Sequence, residues 1–248
     1  LTEFDDVNGK SDAGQTAQPG PADRIAGAAV ILAGQRGWRS LALGDIANHA
    51  GVTLEALARH YVCRPEILDG FERMMDRRML AGAAAGDIDD KPRDRLFDII
   101  MERFDGLLPY RDGVRRITRE LPFDPASGLV LATAMPRSVA WMFAGARITL
   151  SGPTAPLKLA ALGAVYLSAF RVFLNEDGQD IPKTMAVLDR NLDRASAFLI
   201  GDIGTGPSAA QPSAAPPAAE VAVPDPAPET AASPDLSDPD FDTAPDVD

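Results

Sequence analysis

Cysteine occurs once in this 248-residue chain, as Cys63, which excludes an internal disulfide framework and fits a reducing compartment. Histidine occurs twice, as His49 and His60. With so few nitrogen and sulfur ligands, no His/Cys cluster at metal spacing stands out, and neither does a Ser-His-acid or Cys-His arrangement. We therefore expect no metal, no cofactor and no catalysis. No run of about 18 apolar residues free of charges and breakers is present, so no transmembrane segment is expected. The first 20 residues lack the basic, apolar and small-residue order of a secretory signal, and the expected location is the cytoplasm. Strand-like alternation bounded by turn residues is missing too. The glycines of "GDIGTGPS" follow a helical pattern rather than a strand, which argues against a phosphate loop.

The formal charge of −12 is unevenly spread. Residues 205–248 carry nine acids and no base, and residues 1–20 carry four acids and one base. The intervening 21–204 holds 23 acids and 23 bases, so the acidity belongs to the ends. Both ends are rich in small and polar residues and cannot bury enough apolar surface to offset their ordering entropy. They read as disordered segments, residues 1–20 and an acidic Pro/Ala-rich tail over 204–248. Such a tail keeps a protein soluble or competes with nucleic acid for a basic surface.

What is there is helical periodicity, and it predicts an all-α core. Apolar spacing gives helices over residues 21–37, 43–50, 54–61, 65–85, 92–108, 110–120, 127–149, 156–175 and 180–200. Gly37 and Gly51 supply turns, Thr53 can cap the third helix, and Pro65 suits a first turn. Pro109 interrupts the fifth helix, "LPFDPASG" reads as a loop, and Pro136 should kink or divide the stretch that follows. Asp87, Asp89 and Asp90 could hold a hard cation but read better as a solvated loop. Cys63, beside Arg64, is either a redox-sensitive thiol or a small, partly buried residue at a helix junction.

The information is concentrated in "LGDIANHAGVTLEALARHYVCRPEIL", residues 43–68, which reads as a helix-turn-helix. Ile46, Ala47 and Val52 would pack on the first helix, and Leu54, Leu57 and Tyr61 form the inner face of the third. Glu55, Ala58 and Arg59 then face outward with His60 nearby, where a recognition helix enters the major groove. Residues 24–64 as a whole resemble the N-terminal domain of the TetR family of transcriptional regulators: "RGW" closing helix one, "DIANHAGVT", and a leucine and an aromatic at matching spacing in helix three. The resemblance implies that Thr53, Leu54, Arg59, His60 and Arg64 lie at or near DNA, Arg64 standing where members commonly carry a phosphate-contacting lysine. Arg39, beside Trp38, could touch a phosphate as well. The chain departs from the family at Ala42, in place of a capping Thr or Ser, and at "EALA", Glu55 to Ala58, in place of "GTLY". With five arginines against two acids over residues 24–64, the electrostatic footprint is thin, and salt-sensitive binding is expected.

These features divide the chain into a DNA-binding domain over 21–66 and a ligand-binding and dimerisation domain over 67–203. Residues 96–199 are also similar to the coenzyme Q biosynthesis protein nine family, which shares the TetR fold but binds isoprenoid lipid. Met101, Phe104, Leu108, Met135, Trp141, Phe143, Tyr166 and Phe170 have a spacing that suits ordinary core, and the resemblance adds a small-molecule cavity among them. The helix over 156–175 is apolar on two sides, so residues 156–200 suggest a homodimer built as a four-helix bundle. The expected function is a ligand-responsive repressor that binds a double-stranded DNA operator. The alternative is a lipid-binding accessory protein of ubiquinone biosynthesis that no longer reads DNA.

Overall fold

The computed structural model describes residues 20–84 and 90–201. The expectations for residues 1–19, for the tail beyond 201 and for Asp87 and Asp89 lie outside the described residues; Asp90 is exposed. Among the described residues every regular element is a helix, as the periodicity predicted. All of them belong to the unit Leu1–Thr205.

Helix α1 (Pro21–Arg36) opens with proline in its first turn and closes at Gly37, whose φ of +88° is disfavoured for residues with a Cβ. Its alanine-rich inner face lets neighbouring backbones approach closely. A Cβ on Gly34 would lie 3.0 Å from the Gly113 nitrogen, and one on Gly113 would overlap the Val30 carbonyl oxygen. Gly113 belongs to α6 (Arg111–Glu120), so α1 and α6 touch backbone to backbone.

Helix α2 (Leu43–His49) and α3 (Leu54–Ala58) follow, with Gly51 between them at φ +65°. Lacking a capping hydroxyl at Ala42, α2 has its first turn closed by Asp45, which accepts from the Ala42 N–H at 3.4 Å. Helix α3 ends three residues earlier than expected, and Tyr61, just beyond it, buries its ring. The Tyr61 hydroxyl donates to the Ala22 carbonyl at 3.2 Å. Leu54 is a further correction: it is 54% exposed at the first position of α3, and the burial falls to Leu57 within the helix and Tyr61 after it.

The long α4 (Arg64–Ala83) leads into the bundle, where it packs against α1, α5 (Pro92–Leu107) and α7 (Pro125–Gly145). Cys63 stands just before α4 and is exposed rather than partly buried. A 3-10 turn, Leu108–Tyr110, carries the chain past Pro109 into α6. The segment read as a loop is mostly ordered: a second 3-10 turn spans Leu121–Phe123, and Asp124 accepts from the Ser127 N–H at 3.3 Å to start α7. Pro136 does not divide α7, since the missing N–H falls opposite Ala132, on an exposed stretch where water can take the freed carbonyl.

Helices α8 (Ala155–Asn175) and α9 (Pro182–Ile200) form a closing hairpin. Glu176, at the end of α8, caps the start of α9 by accepting from the Lys183 N–H at 2.8 Å, the Thr184 N–H at 2.9 Å and the Thr184 hydroxyl at 2.7 Å. Among the described helices α8 alone has the length and mean hydropathy, 1.6, of a membrane span. Its inner side belongs to the protein core, packed on α9, α7 and α6.

Candidate nucleic-acid face and apolar cavity

The outward side of α3 is built by three local devices. The Thr53 hydroxyl accepts from the Ala56 N–H at 3.1 Å and fixes the start of the helix. Leu57 anchors it from beneath. Gly51 turns the chain so that the remaining positions point away from the core. Thr53, Leu54, Glu55, Ala58, Arg59 and His60 are all exposed there, as is His49 on α2. Glu55 and Arg59 form an ion pair across one helical turn, with side chains 77% and 71% exposed.

The other two predicted contacts are differently held. Arg39 is exposed; its backbone N–H donates to Glu120 Oε2 at 2.9 Å and its guanidinium lies over the Phe123 ring at 5.9 Å. Arg64 is half-buried, with Nη1 donating to the Trp38 carbonyl at 2.8 Å. Arg36 pairs with Asp45 at 3.6 Å. The cations of this face are therefore largely matched by local acids and carbonyls. An exposed i,i+4 pair is worth only about 0.3–0.5 kcal/mol, so Arg59 can exchange Glu55 for another anion at small cost.

A cavity of about 550 Å³ lies between α4, α6, α7 and α8, within the range of small-molecule sites. Leu68, Phe71, Val114, Ile117, Leu131, Phe170 and Leu174 form much of its wall. Of the eight residues predicted for a cavity, Met135, Tyr166 and Phe170 line it. Phe104 and Phe143 are fully buried in the core instead, Phe104 stacking on Tyr166 at 5.4 Å between centroids. Met101 and Leu108 pack half-buried against that core, and Trp141 is 46% exposed on α7.

Three charged residues not singled out in the sequence stand beside this cavity. Arg103 of α5, only 3% exposed, donates to Asp76 Oδ1 at 2.6 Å, to Glu72 Oε2 at 2.5 Å and to the Tyr166 hydroxyl at 3.2 Å. Burial pushes Glu72 above the usual carboxylate range and Tyr166 above the usual phenol value, with Arg103 opposing both. Burial works against the charge on Arg103, yet Tyr166, Glu72 and Asp76 hold its pKa above the ordinary value. Glu72 and Asp76 are four residues apart, a spacing shared by any solvated helix face. Only the facing arginine on α5 distinguishes them.

No protein-family model and no curated protein matches the chain. Solved structures do. The TetR transcriptional regulator of Nitrosomonas europaea ATCC 19718 aligns at 24% identity over 72% of this chain and 99% of its own, with a TM-score of 0.60. A TetR-family regulator from Rhodococcus sp. aligns at 20% identity over 70% and 97%, with a TM-score of 0.51. A TetR transcriptional regulator from Rhodococcus sp. RHA1 gives 20% identity over 74% and 97%, with a TM-score of 0.50. The fold is the TetR fold. Within it α1–α3 come first along the chain, and the cavity lies between α4, α6, α7 and α8. These solved chains are spanned almost end to end.

Proposed function

We propose that this protein is a TetR-type transcriptional regulator, a homodimer that binds an operator through paired α3 helices and responds to an apolar ligand in the bundle cavity. The observation that carries the reading is the exposed outward side of α3, held as the second helix of a helix-turn-helix inside the TetR fold. The predicted DNA contacts are Arg39, Thr53, Leu54, Glu55, Ala58, Arg59, His60 and Arg64. Leu157, Ala160, Ala164 and Leu167 form an exposed row along α8 at helical spacing, which supports pairing of two copies through 156–200. A two-fold dimer would offer its recognition helices about 34–36 Å apart, one turn of the duplex. A ligand that alters this separation would release both half-sites together. The regulator would act in the cytoplasm, without enzymatic activity.

Titration of the full chain against DNA from its own upstream region at two salt concentrations tests this reading, alongside measurement of particle mass in solution. Saturable, salt-sensitive binding by a dimer is expected. A monomer with no salt-dependent affinity overturns it.

The Glu55–Arg59 pair favours a second reading, because it neutralises the side of α3 that would meet phosphates. On that reading the helix-turn-helix is structural and the cavity carries an isoprenoid or similar lipid for quinone biosynthesis. Lipid that copurifies with the protein, together with no DNA affinity, would decide for it.

A further inference from the structure

The bundle cavity is apolar over most of its wall, with one acid set into it. Glu72 of α4 borders the cavity, and its Oε2 accepts from Arg103. Among the described residues no donor reaches its Oε1. The neighbouring Tyr166 oxygen accepts from Arg103 Nε, which leaves the phenol hydrogen as the group Tyr166 can offer. Arg103 itself is not on the wall, and all three of its nitrogens are engaged by Asp76, Glu72 and Tyr166. Arg137 is held by Asp69 at 2.9 Å, with Asp76 nearby at 3.7 Å. The polar end of the cavity thus presents a free carboxylate oxygen, and the guanidinium behind it lies off the wall, bonded to Asp76, Glu72 and Tyr166.

We propose that the cavity takes an apolar ligand ending in a single hydrogen-bond donor, an alcohol or a protonated amine that docks on Glu72, and that it rejects lipids headed by a carboxylate. The donor would fill the open Oε1 lone pairs, while an alcohol oxygen could also accept from Tyr166. Phe71, Tyr166 and Phe170 supply ring surface for the apolar body, and for the edge of a cationic head. A carboxylate in that position would face the Glu72 carboxylate directly, and like charges at a partly desolvated site repel. Arg171 also borders the cavity but is exposed, where pairing with an anion is weak. The burial that raises Glu72 fits a carboxyl lacking its full set of partners. This inference rests on the reading of the cavity as a ligand site, and it names the ligand's chemistry.

Calorimetry of the full chain with dodecan-1-ol, dodecylamine and dodecanoate, each below its micelle concentration, tests it. The alcohol, the amine or both are expected to bind saturably, and dodecanoate at least about ten-fold more weakly. If the natural head is cationic, the amine exceeds the alcohol and Glu72→Gln lowers amine affinity about ten-fold or more, with a smaller change for the alcohol. If it is neutral, the alcohol equals or exceeds the amine. Dodecanoate binding as tightly as either, or no binding by any of the three, overturns the proposal. Leu131→Trp, which fills the cavity and leaves the Glu72 carboxyl in place, is expected to abolish binding of all three; binding that survives it also overturns the proposal. Should Glu72→Gln fail to fold, the head-group series on the parent and Leu131→Trp still decide. DNA release is read separately: a ligand that binds as expected while leaving DNA affinity unchanged, or meeting none, sinks the regulator reading alone.

Discussion

The indole N–H of Trp38 donates to the hydroxyl of Ser127 at 2.9 Å, joining residues 89 positions apart where both are fully buried. The Ser127 hydroxyl passes its own hydrogen to Asp124 Oδ2 at 2.9 Å, and the Trp38 carbonyl accepts from Arg64. One side chain and its carbonyl therefore tie the end of α1 to the starts of α4 and α7. Ser127→Ala leaves the buried indole N–H without an acceptor and is expected to lower unfolding free energy by about 1–3 kcal/mol. Urea denaturation measures the loss. Combining it with Trp38→Phe should cost less than the sum of the two, since the second change removes the orphaned donor.

On the outward side of α3, removal of Glu55 frees Arg59 and deletes the one acid of that helix. Glu55→Gly is expected to tighten DNA binding. Arg64→Ala is expected to weaken it across all sequences and to reduce the salt slope by about one unit. Fluorescence anisotropy over a salt series separates the two effects. Because Arg64 also holds the Trp38 carbonyl, thermal melting of that variant must accompany the titration. Parent-like DNA binding by both variants would refute this assignment of the face.

Two glycines in helices should respond in opposite ways to alanine. A Cβ on Gly113 meets the Val30 carbonyl, and the backbone of α1 cannot yield as a side chain does. Gly113→Ala is expected to cost about 3 kcal/mol or more. Gly44, in α2, has no atom within 4 Å of the point where a Cβ would stand, so Gly44→Ala gains helix propensity and should stabilise by roughly 0.4–1 kcal/mol. Melting curves read both signs.

Acid should loosen the α8–α9 hairpin. Burial opposes the charge on Glu176, but hydrogen bonds from the Lys183 N–H, the Thr184 hydroxyl and the Thr184 N–H outweigh it and hold the carboxyl below its usual range. A depressed pKa in the folded state stabilises above the unfolded-state value, and that contribution is lost as pH falls through the folded one. Glu176→Gln is therefore expected to be less stable than the parent at neutral pH. The gap should shrink as the solution is acidified below the ordinary carboxylate range. Thermal melts across that range check the trend.

The helices were legible because each carries its own punctuation. Pro21 and Gly37 bracket α1, Thr53 caps α3, and the Leu, Ile and Phe spacing of α5 marks a buried side. The short α3 was not legible, because the apolar spacing of Leu54, Leu57 and Tyr61 runs on past Ala58, where the helix stops. Likewise, periodicity marked Phe104 and Phe143 as apolar without telling a core position from a cavity wall. That distinction depends on which helices leave a gap between them, a property of the assembled bundle. Glu72 and Asp76 gave the same pattern as any wet helix face, and only the arrival of Arg103 makes them partners of a buried cation.

The crossing of α1 and α6 at Gly34 and Gly113 leaves no rotamers between the two main chains to take up slack. Val114, Ile117 and Thr118, which edge the cavity, follow within five positions on α6, while α1 packs against α2 and α2 against α3. With no side chain between the two main chains, a displacement of α6 would bear directly on the backbone of α1. The stiffness of that contact is what a molecule lodged among α4, α6, α7 and α8 would have to push against to be felt at the far end of α1.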